Sequence, residues 1–165
     1  MGVPDGVWLR AAVIDDARSG ARLHQACWRE SYGPITEPSL LATHLADEDA
    51  WVSRWRRQVE QGARRLLAVS DVDDLIGFAD AGPGRDKDRG SELELYALYV
   101  RSAWHGTGVG RALFDATIGD AAAYLWVLED NIRAQAFYRR QGFVSDGGRE
   151  RYEPLAVWEI RMVRR

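Results

Sequence analysis

Between positions 104 and 111 the chain reads Trp104-His105-Gly106-Thr107-Gly108-Val109-Gly110-Arg111, with a glycine at every second place and an arginine at the end. Glycines let backbone N–H groups come close to a ligand, and a helix starting here would add the positive end of its dipole. The stretch therefore suits a phosphate or pyrophosphate. A P-loop would have to close on Gly-Lys-Ser or Gly-Lys-Thr, and Gly110-Arg111-Ala112 does not. A dinucleotide fingerprint would need glycine at 111 or 113, positions that hold Arg111 and Leu113. A tight strand-to-helix turn without any ligand is the plain alternative.

A second constellation follows: Asn131, Ala134, the pair Phe137-Tyr138 and Gly142-Phe143. Singly, Asn131 reads as a helix cap, Phe137 as core and Gly142 as a helix end. Taken in order with the glycine-rich turn, the two stretches resemble the coenzyme A side of the GNAT acetyltransferases, whose turn runs Gln or Arg, two residues, Gly, any residue, then Gly or Ala. His105 stands where Gln or Arg is usual, and Gly108 and Gly110 match. The likeness extends loosely over the chain, through Trp28, Tyr32-Gly33-Pro34 and a last strand Trp158 to Met162. It implies an acyl-CoA-dependent N-acetyltransferase that carries the acetyl group of acetyl-CoA to a primary amine of a small molecule by direct attack in a ternary complex. A protein N-terminal or lysine acetyltransferase is the alternative, and a non-catalytic acyl-CoA-binding module a more distant one.

The same resemblance assigns roles. His105, Gly106, Thr107, Gly108, Val109, Gly110 and Arg111 hold the pyrophosphate. Backbone N–H groups near Leu98, Tyr99 and Val100 face the developing oxyanion. Asn131, Ala134 and Phe137 belong to the coenzyme side, and Tyr138 gives a proton to the leaving sulfur. For removal of the ammonium proton the candidates are Glu92 and Glu94, which alternation along a strand puts on one face with Tyr96 and Leu98. Glu94 is preferred, acting through water, against the reading that it is a solvated carboxylate. Trp28, Tyr32, Trp51 and Trp55 could line an acceptor pocket, although aromatics at helical spacing usually belong to the core. Cys27 reads as buried packing. Many such proteins pair as homodimers through their C-terminal strands.

To position these groups the sequence predicts a strand over 7–13 and a helix from Asp15-Asp16 to Tyr32, stopped by Gly33-Pro34. One or two helices cover 39–62, with a break near 47–49. Strands follow at 66–70 and 75–81, joined by a hairpin turn at 71–74, then an exposed loop over 82–90. The clearest strand is 92–100, followed by the glycine-rich turn and a helix carrying Val109, Ala112, Leu113 and Ala116. A strand at 124–128, a helix at 131–141 and closing strands at 143–145 and 157–162 complete a mixed α/β chain. Together with the resemblance, this implies a central mixed, mostly antiparallel sheet with a splayed strand pair, flanked by about four helices.

Its 165 residues fit one domain over 1–165. A net charge of −3, with arginines scattered among acidic residues, argues against a nucleic-acid-binding stripe. No apolar run approaches the roughly 20 residues of a membrane helix, and the first residues lack a basic segment followed by an apolar core. These features point to a cytoplasmic protein. A lone cysteine excludes an internal disulfide, and His24, His44 and His105 are too scattered to suggest a metal site.

Overall fold

Short polar side chains decide where the N-terminal half turns into helices. The computed structural model describes residues 3–72, 74–90 and 92–165. Strand β1 (Val7–Ala11) ends two residues before the expected limit, where Asp16 accepts the backbone N–H of Val13 at 2.8 Å and the Arg10 guanidinium at 2.7 Å. Helix α1 (Ala17–Tyr32) follows and buries Leu23, Cys27, Trp28 and Tyr32 along one side. Pro38 opens α2 (Pro38–Leu45), since its missing N–H costs nothing in a first turn. Asp47 then accepts the N–H of Ala50 at 2.9 Å and caps α3 (Glu48–Glu60). The segment expected to hold one or two helices is therefore two, and five α-helices flank the sheet among the described residues.

Strands β2 (Arg65–Ser70) and β3 (Leu75–Pro83) form the expected hairpin, whose turn includes Asp73, a position outside the described residues. Arg65 and Asp80 are register partners and form a buried ion pair, with the guanidinium 3.8 Å from the centre of the Trp55 ring. Strand β4 (Leu93–Val100) leads to α4 (Val109–Thr117), then come β5 (Ala123–Leu128), α5 (Ile132–Arg140), β6 (Val144–Tyr152) and β7 (Val157–Arg164). The seven strands lie in the order β1-β2-β3-β4-β5-β7-β6, antiparallel except for β4 and β5.

That one parallel pair shapes the site. Only Leu93 with Ala123 and Glu94 with Tyr124 are partnered, so the two strands diverge toward their C-terminal ends. The sheet is splayed there, as the resemblance implied. Helices α1, α2 and α3 cover one face, over a core that includes Leu67, Phe78, Leu128 and Val157. Helices α4 and α5 cover the other, over Ala79, Leu113, Leu125, Phe143 and Met162.

Three expectations change. Strand β6 runs well beyond 145, through Asp146-Gly147-Gly148-Arg149-Glu150, with a register shift between Ser145 and Arg149. Its polar, glycine-bearing sequence is that of an exposed sheet edge, which charge protects from pairing with other chains. The loop after β3 is also less free than its composition suggests. Arg161 of β7 holds Asp86 at 2.8 Å, Asp88 at 2.7 Å and Asp146 at 2.9 Å, and Arg89 also binds Asp146. In β4, the partners of Asp80 and Ala81 step from Ala97 to Leu95, leaving Tyr96 as a bulge. The bulge shifts the alternation, so Glu94 shares its face with Ala97 and Tyr99, and Leu98 points to the α4 side.

Candidate active site

A cavity of about 1110 Å³ occupies the gap where β4 and β5 part. Glu94, Tyr138 and every residue expected on the coenzyme side line it except Thr107 and Val109. Val109 is fully buried against the sheet, and exposed Thr107 donates its hydroxyl to the Trp104 carbonyl at 2.8 Å. Those two positions can contribute only through their backbone.

The cavity passes from one face of the sheet to the other. At its α4–α5 end lie the glycine-rich turn and the side chains of Arg111, Arg133 and Arg140. Gly106 and Gly108 have φ of 79° and 100°, values that L-residues with side chains rarely adopt. This backbone path delivers Gly108 to the N-cap of α4, leaving the first N–H groups of the helix without intrahelical partners, as at any helix start. His105 Nε2–H donates to the Val100 carbonyl at 2.9 Å, tying the turn to the end of β4. Arg111 is held by Asp115 at 2.7 Å and by Gln141. Asn131 caps α5, accepting the Ala134 N–H at 3.0 Å, so it positions the helix that carries Phe137 and Tyr138.

Tyr138 is almost fully buried and lines the cavity. Burial, reinforced by nearby Tyr99, raises its hydroxyl well above the usual phenol value, so it stays protonated at any physiological pH. That is the state a proton donor requires.

The α1–α3 end has a different character. Tyr32, Tyr99 and Tyr152 wall it, and Asp86, Glu150 and Glu159 add carboxylates. Tyr32 and Tyr99 bring their hydroxyls within 3.4 Å of each other. Of the four aromatics considered for an acceptor pocket, Tyr32 lines the cavity, whereas Trp28, Trp51 and Trp55 are packed in the core. Cys27 is buried with them, and burial pushes its thiol up to about 12.

Glu94 is where the structure departs most from expectation. Its side chain lines the cavity but is 2% exposed, and its oxygens are fully occupied. They accept from the backbone N–H of Arg85 at 2.9 Å, the Tyr124 hydroxyl at 2.9 Å and the Arg85 guanidinium. Burial alone would raise its pKa; the Arg85 hydrogen bonds and charge outweigh burial and hold the carboxyl below its usual value. A carboxylate so engaged is a poor proton acceptor, and it ties Arg85 and Tyr124 to β4. Glu92, the other candidate, is exposed, pairs with Arg89 at 3.5 Å and does not line the cavity. The carboxylates that sequence reasoning missed, Glu150 and Glu159, come from strands β6 and β7, beyond both motifs.

Comparison with known proteins agrees with this fold. The family model described as acetyltransferase (GNAT) family matches residues 21–143, most of the chain. The chain belongs to that family. Over 158 residues it is 30% identical to the probable N-acetyltransferase Rv2775 of Mycobacterium tuberculosis, covering 93% of this chain and 88% of that one. It is 31% identical over 133 residues to the uncharacterized N-acetyltransferase YuaI of Bacillus subtilis, covering 76% and 73%. Among solved structures, PaiA N-acetyltransferase from Thermoplasma acidophilum in complex with coenzyme A superposes with a TM-score of 0.70 at 17% identity, over 94% of this chain and 97% of that one. The protein is thus an acyl-CoA-dependent N-acetyltransferase, and its fold is that of the GNAT family. Among the described residues no helix is long and apolar enough to cross a membrane.

Proposed function

We propose that this acetyltransferase moves the acetyl group of acetyl-CoA to a primary amine of a small molecule, by direct attack while both are bound. One observation supports this above all: a single cavity threads the splayed strands, with arginines and a helix N-terminus at one end and carboxylates among tyrosines at the other.

The residues at the first end fit a diphosphate. At Gly106 an added Cβ would meet nothing within 4 Å, so the turn leaves open space beside its backbone, and Arg111, Arg133 and Arg140 supply positive charge. Helix-start N–H groups add the dipole contribution. Acetyl-CoA supplies the acetyl group as an activated thioester. Beyond Glu94, β4 has no partner on its β5 side, which leaves backbone N–H groups near Leu98 to Val100 available to the carbonyl oxygen. Tyr138 is the proton donor to the departing sulfur.

A small-molecule acceptor suits a concave end walled by Tyr32, Tyr99 and Tyr152 and closed over by the loop that Arg161 holds. A lone buried thiol, Cys27, is at home in the cytoplasm, where we place the reaction. The test is thiol release from acetyl-CoA with 2-phenylethylamine, spermidine and an alanine-initiated peptide as acceptors, beside calorimetry with coenzyme A. Turnover confined to the peptide would move the acceptor assignment to polypeptide amines. Absence of coenzyme A binding by folded protein would remove the whole reading.

A further inference from the structure

We propose that Glu159 is the proton acceptor of this reaction, its carboxylate taking one proton from the acceptor's ammonium at the carboxylate-bearing end of the cavity. The inference rests on the acetyl-transfer reading above and assigns a residue that lies in neither coenzyme-side motif.

Position comes first. Glu159 is the register partner of Leu128 on β5 and of Glu150 on β6, and Leu128 and neighbouring Val157 both belong to the core under α1–α3. Glu159 therefore faces away from α4 and α5, across the sheet from the phosphate-binding turn, in the cavity that also holds Tyr138. A donor thioester reaching through the splay from one side and an amine entering from the other would meet between these two side chains.

Its surroundings keep the group available. Among the described residues no hydrogen bond or ion pair engages the Glu159 carboxylate, in contrast to Glu94 with its Arg85 and Tyr124 donors. The groups near it are Tyr32 from α1, Tyr99 from β4, Glu150 and Tyr152 from β6, and Arg85 from the loop after β3. All three hydroxyls are raised above the usual phenol value and so are neutral at working pH. Burial and the like charge of Glu150 push Glu159 up to about 7, against the opposing pull of Arg85. A carboxylate poised there accepts a proton at neutral pH far more readily than one held low.

The protons balance. The ammonium, R–NH3+, gives one proton to a Glu159 oxygen, and the freed lone pair forms a C–N bond to the acetyl carbonyl carbon as the C–S bond breaks. Sulfur keeps the bonding pair and takes a proton from Tyr138. The new amide nitrogen sheds its second proton, which restores Tyr138, and Glu159 releases its own to solvent.

The test is the pH profile of kcat/KM for the wild type, Glu159→Gln and Glu150→Gln, with whichever of the three amines above the wild type acetylates. Wild-type kcat/KM should rise with pH through about 7, since kcat/KM reports the free enzyme's groups. Glu159→Gln should fall about 100-fold at pH 7 and lose that limb, while binding coenzyme A with wild-type affinity by calorimetry. Glu150→Gln should move the limb to lower pH, because a like charge is gone; a limb belonging to the substrate's own ammonium would stay in place. Glu159→Gln within about threefold of wild type, or an unmoved limb in Glu150→Gln, overturns the assignment. The second variant decides alone if the first does not fold. Failure of the wild type to acetylate any amine overturns the acetyl-transfer reading itself, and this inference with it.

Discussion

Replacing Glu94 by glutamine separates an anchoring carboxylate from a catalytic one. The glutamine oxygen can still accept from Tyr124 and the Arg85 backbone, both 2.9 Å away in the native site. What is lost is the charged fork with the Arg85 guanidinium. Charge-assisted hydrogen bonds contribute about 1.5–3 kcal/mol, but the Arg85 side chain is 67% exposed, so water recovers much of that. A net loss of about 1–2 kcal/mol is left, or a melting point lower by about 2–8 °C for a domain of this size. The pH dependence has a definite sign. The folded carboxyl lies below its ordinary value of 4.5, so its stabilisation is complete above that value and is lost as pH falls through the lower folded one. Differential scanning fluorimetry at pH 7 and pH 3.5 should show the gap between wild type and Glu94→Gln full at the first and shrinking at the second, with kcat at pH 7 within about threefold of wild type. A variant that melts like wild type yet loses about 100-fold in kcat, with a changed pH profile, would show that Glu94 is the base and that the anchoring argument is wrong.

Tyr138→Phe should lower kcat on the order of 10- to 1000-fold, with coenzyme A affinity by calorimetry unchanged; full turnover would end its role as acid. Asp80→Ala leaves the Arg65 guanidinium buried without its partner, which should cost about 3–5 kcal/mol and lower the melting point by about 6–20 °C. Glu159 has a folded value of about 7 against an ordinary 4.5, so its contribution to stability is complete below 4.5 and is lost as pH rises through 7. Glu159→Gln should accordingly melt with wild type at pH 4.5 and above it at pH 8, and identical melting at pH 8 would contradict a half-buried carboxylate charged there.

The coenzyme side was legible in the sequence because it is local. A strand, a glycine-rich turn and a helix follow one another within about 25 residues, and α5 carries its own cap, Asn131, and its own inward-facing residues, Ala134, Phe137 and Tyr138. The acceptor side was not, because its members meet only through strand pairing. Glu150 and Glu159 become neighbours across β6 and β7, and most of β6 has no apolar alternation to mark it. A single extra residue also hid which face of the sheet Glu94 takes. Simple alternation puts Glu94 with Leu98, but the bulge at Tyr96 reverses the phase, and no residue type in 93–100 announces it. Trp51 and Trp55 were ambiguous for a related reason. Their spacing fixes which side of α3 they share but not whether that side meets a ligand or another helix, and here it packs on α1 and the sheet.

The ionic clasp around Arg161 sits on the loop leading into β4, beside the apex where β4 and β5 still pair. It rivets the β3–β4 connection to the C-terminal hairpin, so the two arms of the V share a fixed root. Ion pairs at that root oppose the strands' sliding apart, so much of the slot's width is set when the chain folds. The entropy of shaping that slot is then spent at folding instead of being charged to each binding event, so a slender guest finds its channel already cut.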